Sequence, residues 1–331
     1  MTISAIVPVW NGEELLRRLL RSLNAQTKRP GELIAVDNGS VDGAPKVARE
    51  AGARVISMGR NLGFAAAVNR GIREASYETL AILNSDVELN PDYLERLEAG
   101  LSKPGVWFAT GKLFRQGVEP LLDGTFDVIC RGATAARLCH GQPDGAFAAE
   151  ARAIWSAPWT AALFRAELFE RTGLLDERFE SYLEDVDFGL RCARLGLAGA
   201  YIPEAIAYHR GSASLGRWHA ETVRRIARNQ VFLLSRHYPP RSLRSYAWAI
   251  AMAQLLWGAL ALRHGAPLAW MRGKFQGIRR WREMRNAEAF DWEGLAKLLA
   301  ENERLITESR AESAHDWYWK LYFLLAGSGA K

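Results

Sequence analysis

Apolar positions along the first hundred residues switch between two periods. Ile3–Val9 is an unbroken, β-branched run, the mark of a buried strand. Leu15, Leu16, Leu19, Leu20 and Leu23 then return at helical spacing, with Arg17, Arg18 and Arg21 between them. The alternation continues. Leu33–Val36, Arg54–Ser57, Thr79–Leu83 and Val106–Thr110 predict strands, and Ala44–Ala51 and Phe64–Ala75 predict helices. Asn90-Pro91 supplies an N-cap and first-turn pair for a helix ending near Ser102. Strands alternating with helices at this spacing predict an α/β fold with a parallel, doubly wound sheet. Further on, Val186, Leu190 and Ala193 suit one buried helix face, and Ala200–Pro203 and Ala205–Tyr208 predict short strands.

Ligands on such sheets bind at the carboxyl ends of the strands, so the polar residues there are the candidates. They are Pro8-Val9-Trp10-Asn11, Asp37-Asn38-Gly39-Ser40, Asn61-Leu62-Gly63-Phe64 and Asn84-Ser85-Asp86. No GxGxxG follows the first strand and no GxxxxGK[ST], HExxH or GxSxG occurs, which argues against a dinucleotide fingerprint, a P-loop, a zincin and a nucleophile elbow. Asp37 and Asp86 end separate strands that open onto one crevice. One can meet a nucleoside while the other meets a metal–diphosphate, since Mg²⁺ and Mn²⁺ prefer carboxylate and phosphate oxygens. Taken singly, Asp37-Asn38-Gly39 also suits a plain Asx turn and Asp86 a turn cap. Glu184-Asp185-Val186-Asp187 opens a predicted helix. Its acids suit the helix dipole, and equally a general base raised by its neighbours. His209 lies at a predicted strand end, before Arg210-Gly211-Ser212, where it is either a structural histidine or a metal or diphosphate contact.

VPVWN (Val7–Asn11), AVDNGSVDG (Ala35–Gly43), RNLGFAAAVNRGI (Arg60–Ile72), ILNSDV (Ile82–Val87), LLDERF (Leu174–Phe179), EDVDFGLR (Glu184–Arg191) and YHRGSAS (Tyr208–Ser214) together resemble the family 2 inverting glycosyltransferases of the GT-A fold. The NxGFAxAxNxGI and EDVDFxxR forms resemble the bacterial rhamnosyltransferase branch. The resemblance covers about residues 1–215 and implies a Rossmann-like, mostly parallel sheet with helices on both faces. It implies that Pro8, Val9, Asn11, Asp37, Asn38, Asn61, Gly63, Asn69, Asn84 and Ser85 bind the donor, with Asp37 on a pyrimidine base. Asp86 and His209 would hold Mg²⁺ or Mn²⁺, although Asn84-Ser85-Asp86 keeps only the last acid of the family's DxD. Asp185 would be the general base, supported by Glu184 and Asp187. The donor of first choice is dTDP-L-rhamnose. A UDP-sugar donor, as in galactosyl- or N-acetylglucosaminyltransferases, and a non-catalytic nucleotide-sugar-binding protein are the alternatives.

Charge divides the chain in two. Residues 1–204 carry 23 lysines and arginines against 27 acids, whereas residues 205–331 carry 20 against 10, with eight of the 12 tryptophans. A domain boundary is therefore expected near 215, with a basic, Trp-rich helical region over 216–331. Tyr246–Leu262 is an apolar stretch with Gln254 as its one strongly polar member. It reads as a core helix, as an interfacial or re-entrant helix, or as a span at the short limit of about 20 residues. Arg241, Arg244, Arg263, Trp248, Trp257 and Trp270 favour the interface. Arg272, Lys274, Arg279, Arg280, Arg282 and Arg285 are then candidate contacts for anionic headgroups, so 216–285 is expected on an anionic membrane surface. No nucleic-acid module is recognisable. The branch's acceptors, glycans on polyprenyl diphosphate, place the expected site of work at the cytoplasmic face of the plasma membrane. Trp292–Leu325 reads as further amphipathic helix, packed on the tail or serving a homodimer contact. Three cysteines without CxxC spacing fit a reducing compartment, and MTISAIVPVW has no secretory signal pattern.

Overall fold

The computed structural model describes residues 2–117, 120–211, 218–285, 289–310 and 317–327, so Ser212–Ser214 of the last motif and the junction at 215 lie outside the described residues. The chain forms two compact units. One comprises Met1–Phe126 and Cys139–Ser214, the other Asp127–Leu138 and Leu215–Lys331.

The first unit holds, in chain order, β1 (Ile3–Val9), α1 (Glu13–Asn24), β2 (Glu32–Asp37), α2 (Ala44–Glu50), β3 (Arg54–Ser57), α3 (Phe64–Glu74), β4 (Thr79–Leu83), β5 (Val87–Leu89), α4 (Tyr93–Leu101), β6 (Phe108–Arg115) and β7 (Leu122–Gly124). After β8 (Asp127–Ile129) and β9 (Ala135–Arg137), which belong to the second unit, come β10 (Arg152–Ile154), β11 (Ala161–Arg165), α5 (Glu167–Thr172), α6 (Glu184–Arg194) and β12 (Gly199–His209). The strand order is β10-β12-β6-β11-β4-β1-β2-β3, with β5 on β12 and β7 on β6. Helices cover both faces. Leu16, Leu19, Leu20 and Leu23 of α1 bury their shared face with Ile3, Val7 and Val47. Each such side chain contributes roughly 1.5–3 kcal/mol.

The sheet corrects the expectation of a mostly parallel one. β1, β2, β3 and β4 are parallel, but β11 runs antiparallel between β4 and β6, and β5, β7 and β10 are antiparallel additions. The two short strands predicted over 200–208 are one strand. Its register shifts between Ile202 and Ile206, where Pro203 has no N–H to give the ladder.

The second unit contains the β8–β9 hairpin, α7 (Ala220–His237), α8 (Pro240–Ser245), α9 (Ala247–Arg263), α10 (Pro267–Arg279), α11 (Trp281–Met284), α12 (Trp292–Ser309) and α13 (Trp317–Ala326). Pro240 and Pro267 stand in the first turns of α8 and α10, where a missing N–H costs nothing. Among the described residues no helix is long and apolar enough to cross a membrane, which overturns the spanning reading of Tyr246–Leu262. α9 buries Ala249, Ala253, Trp257 and Ala261 and exposes Trp248, Leu255 and Leu262. Buried Trp257 thus leaves the set of interfacial anchors. α10 likewise buries Ala269, Gly273 and Gly277 and exposes Leu268, Met271, Phe275 and Ile278. Its glycines let α7 approach until an added Cβ would lie 2.2 Å from the Arg224 carbonyl oxygen or 2.6 Å from Val231 Cβ. The predicted helix over 292–325 is two helices, α12 and α13.

Candidate active site

The turns after β1, β2 and β3 are tied to one another by asparagines. Asn11, at φ 60°, accepts from Val41 N–H through Oδ1 (2.9 Å), while its own N–H donates to Ser40 Oγ (2.9 Å). Asp37 is buried and its Oδ1 accepts from Ser40 N–H at 2.9 Å, the Asx turn its sequence suggests. Asn38 donates to Asn61 Oδ1 (3.1 Å) and to the Gly63 carbonyl (3.0 Å), and accepts from Leu62 N–H (2.9 Å). Pro8 and Val9 lie opposite Val36 and Asp37 in the parallel register, and Asn38 N–H closes on the Val9 carbonyl at 2.7 Å. These residues form a braced rim on the carboxyl ends of β1 and β2.

Gly63 joins this rim to the acidic helix. At φ 93° it runs so close to the chain at Glu180 that a Cβ would sit 2.7 Å from that residue's carbonyl oxygen. Ala65 N–H donates to the same carbonyl (3.0 Å), and Phe64 N–H donates to Ser181 Oγ (3.1 Å). Glu180, Tyr182 and Leu183 all take positive φ, at 62°, 73° and 65°. Non-glycine residues in that region store strain, which clusters at functional sites. The strained segment delivers α6, whose first turn holds Glu184, Asp185 and Asp187. Asp185 is partly exposed, and its Oδ1 accepts from Val186 N–H at 2.8 Å. Glu184 is buried. Asp187 is fully buried and paired with Arg191 Nε at 3.1 Å, while Arg191 Nη1 also donates to the Thr172 carbonyl at 2.6 Å. Asp187 therefore supports the helix from inside.

Asn69 faces elsewhere. Its amide brackets Leu175 and Glu177, donating to the Leu175 carbonyl (2.9 Å) and Glu177 Oε1 (2.9 Å) and accepting from Leu175 N–H (3.0 Å). With its side chain committed in this way, Asn69 positions the 175–177 turn.

The pairing of β5 with β12 brings the last two candidates together. His209 stands opposite Val87, and Arg210 N–H donates to the Asp86 carbonyl at 3.1 Å. His209 Nε2 lies 3.3 Å from Asp86 Oδ1, and Nδ1 lies 2.9 Å from Asp123 Oδ2. Burial alone would push the imidazole pKa down, but hydrogen bonding to Asp123 and to Asp86 outweighs it and raises the value from 6.5 to about 9. Asp123 had no signal in the sequence, since Leu-Leu-Asp-Gly reads as a turn. Nearby, Asn84 Oδ1 is buried without a hydrogen-bond partner among the described residues, while its N–H donates to the Thr160 carbonyl at 2.8 Å. Ser85 lies in the same turn, between them.

Among the described residues no three or more His, Cys, Asp or Glu side chains form a group arranged to hold a metal ion. The donor chemistry at this strand end nevertheless fits a divalent cation shared with a ligand. A carboxylate, an imidazole and an orphaned amide oxygen supply part of a shell, and Mg²⁺-type sites commonly take the rest from phosphates and water.

The sheet, its rim and the acid-led helix form a candidate ligand site at the strand ends of an α/β fold. Residues 4–173 match the family model Glycosyl transferase family 2, and the chain belongs to that family. It is 30% identical over 284 residues to N-acetylglucosaminyl-diphospho-decaprenol L-rhamnosyltransferase of Mycobacterium tuberculosis, covering 75% of this chain and 87% of that protein. It is 29% identical over 230 residues to the O-antigen biosynthesis protein RfbC of Myxococcus xanthus, covering 64% of this chain and 17% of the other. Among solved structures, GalNAc-T7 with UDP, GalNAc and Mn²⁺ matches at TM-score 0.63 and 16% identity, over 88% of this chain and 55% of that one. The mannosyltransferase PcManGT of Pyrobaculum calidifontis, in complex with GDP-Man and Mn²⁺, matches at TM-score 0.53 and 17% identity, over 98% and 85%. At those identities the likeness concerns the fold, which is GT-A-like.

Proposed function

We propose that this glycosyltransferase is an inverting one that moves rhamnose from dTDP-L-rhamnose onto a hydroxyl of a polyprenyl-diphosphate-linked glycan in cell-surface polysaccharide synthesis. The 30% identical rhamnosyltransferase supports the transferred sugar and the acceptor class. The observation that supports the catalytic part is the close approach of the chain at Glu180 to Gly63, next to the rim, in the strained segment that leads into the helix carrying Asp185.

In this reading Asp37, Asn38 and Asn61 seat the nucleoside, with Pro8, Val9, Asn11 and Gly63 shaping the rim. Asp86 and His209, with Asn84 and Ser85 beside them, hold Mg²⁺ or Mn²⁺, which when bound neutralises charge on the diphosphate. Asp185 takes the proton of the acceptor hydroxyl as its oxygen bonds to C1 of the sugar. The C1–oxygen bond to the diphosphate breaks on the opposite face, the nucleoside diphosphate leaves with the electron pair, and the anomeric configuration inverts. Glu184 and Asp187 hold the helix turn that carries Asp185.

The test is Asp185→Asn assayed with dTDP-L-rhamnose. Donor affinity stays near wild type and turnover falls by at least ~10²-fold, the usual scale for a general base. Near-normal turnover removes Asp185 from the role. Turnover with UDP-sugars but none with dTDP-L-rhamnose replaces the donor and leaves the mechanism.

The second unit holds the enzyme to an anionic membrane surface in this proposal. α9 and α10 bury alanine and glycine and turn Leu255, Leu262, Leu268, Met271, Phe275 and Ile278 outward. That inverts the ordinary amphipathic pattern and leaves an apolar face among exposed Arg263, Arg272 and Arg279. Arginine beside an outward apolar face suits the boundary between acidic headgroups and acyl chains. The expected position is peripheral, at the inner face of the plasma membrane. A homodimer remains part of the proposal only through α12 and α13.

A further inference from the structure

We infer that Asp123 is the positioning residue of the metal site, holding the His209 ring so that Nε2 faces Asp86. The inference rests on the reading of Asp86 and His209 as metal ligands.

His209 is placed along the chain by the β5–β12 register and by the hydrogen bond from Arg210 N–H to the Asp86 carbonyl. Those contacts fix its backbone and leave the ring's own rotation and tautomer open. Asp123 settles both. Its Oδ2 lies 2.9 Å from Nδ1, with both side chains buried to about 10% exposure. A carboxylate can only accept, so Nδ1 carries a hydrogen that it donates to Asp123. Nε2 is thereby aimed at Asp86, 3.3 Å from Oδ1. Without Asp123 the ring loses the partner that fixes its rotation, and Nε2 need no longer face Asp86.

Asp123 is itself braced. It lies in β7, which pairs with β6. Arg115 Nη2 donates to His140 Nε2 at 2.8 Å, and His140 Nδ1–H donates to the Asp123 carbonyl at 2.7 Å. Leu122 N–H donates to the Gln142 carbonyl, and Gly141 N–H returns to the Leu122 carbonyl, both at 2.8 Å. A carboxylate behind a ligating histidine, on a strand fixed from both sides, is the arrangement that orients metal-bound imidazoles.

The experiment titrates the purified full chain with Mn²⁺ alone, without nucleotide, following the loss of the free-ion EPR signal, and measures ¹⁴N coupling of bound Mn²⁺ by pulsed EPR. Wild type, Asp86→Asn, Asp123→Asn and Asp123→Leu are compared. Asp123→Leu is expected to bind Mn²⁺ about 10- to 100-fold more weakly and to lose the imidazole coupling. Asp123→Asn, whose amide oxygen still accepts from Nδ1–H, keeps the coupling and falls between the two. Wild-type affinity and coupling in Asp123→Leu, with binding lost in Asp86→Asn, overturn the inference. Should Asp123→Leu not fold, wild-type affinity in Asp123→Asn overturns it equally. Unchanged binding in Asp86→Asn instead overturns the metal reading beneath it.

Discussion

Lys274 shows how one side chain can set the pH response of a unit. Its ammonium group donates to Gln230 Oε1 at 2.7 Å and to Gln254 Oε1, two neutral acceptors. Burial lowers its pKa from 10.5 to about 7. Between about 7 and 10.5 the unfolded chain therefore binds more protons than the folded one, so this residue makes stability rise with pH across that window. Below about 7 both states are charged and its contribution is flat. Lys274→Met removes the titration. The stability difference between variant and wild type, from urea midpoints, is expected to favour the variant most at pH 7 and to shrink towards pH 10. Parallel curves would show that the ammonium is solvated. Sequence reading places Lys274 among headgroup contacts because a lysine in a basic run looks exposed, and the glutamines that enclose it are 44 and 20 residues away. The same blindness explains Asn69 and Asp187. The first is expected on the donor and the second beside Asp185, and only the fold shows the first bracketing Leu175 and the second supporting its helix through Arg191. Asp86 and His209 were legible as polar residues at strand ends, while Asp123 depends on β7, which has no period to read.

Elements were legible in proportion to their length. β1, β3, β4, α1 and α3 fall within a residue or two of their predicted limits, because each carries several turns or pleats of clear pattern. β5, β7 and β10 have three residues each, too few to show alternation. β11 is a buried Ala-Ala-Leu-Phe run that reads equally as helix or strand, and its antiparallel course depends on what it meets. α9 was legible as apolar, yet not in which face it hides. In α10 the contrast is sharper, since glycines on the inner face allow close packing on α7 while the large residues turn out. Exposed substitutions on that outer face change stability within about 0.5 kcal/mol. Phe275→Ser combined with Ile278→Ser is therefore expected to fold normally and to lose sedimentation with phosphatidylglycerol vesicles at low salt. Arg272→Gln with Arg279→Gln weakens it by about 1 kcal/mol per charge. Unchanged sedimentation in both pairs discards the membrane-binding face.

At the scale of the whole molecule, charge divides the chain once, at about 205, whereas the fold divides it into two interleaved units. The chain leaves the first unit after Phe126 and returns at Cys139. Later helices hold the hairpin between. Arg131 Nε donates to the Glu303 carboxylate at 3.0 and 2.9 Å, Asn302 Nδ2 to the Ile129 carbonyl at 3.0 Å, and Tyr238 Oη to the Cys130 carbonyl at 3.1 Å. Ile129, Cys130 and Leu138 are buried. A chain cut after residue 214 is expected to be insoluble or to bind more of a hydrophobic dye than the full chain does. A soluble, dye-free fragment that still binds a nucleoside diphosphate would show that the hairpin does not need the later helices. If the hairpin is needed, heredity treats the two units as one. A single genetic crossover near the junction would give the sheet unit a new tail and leave behind a hairpin shaped for the old one, so tails can be traded only together with residues 127–138.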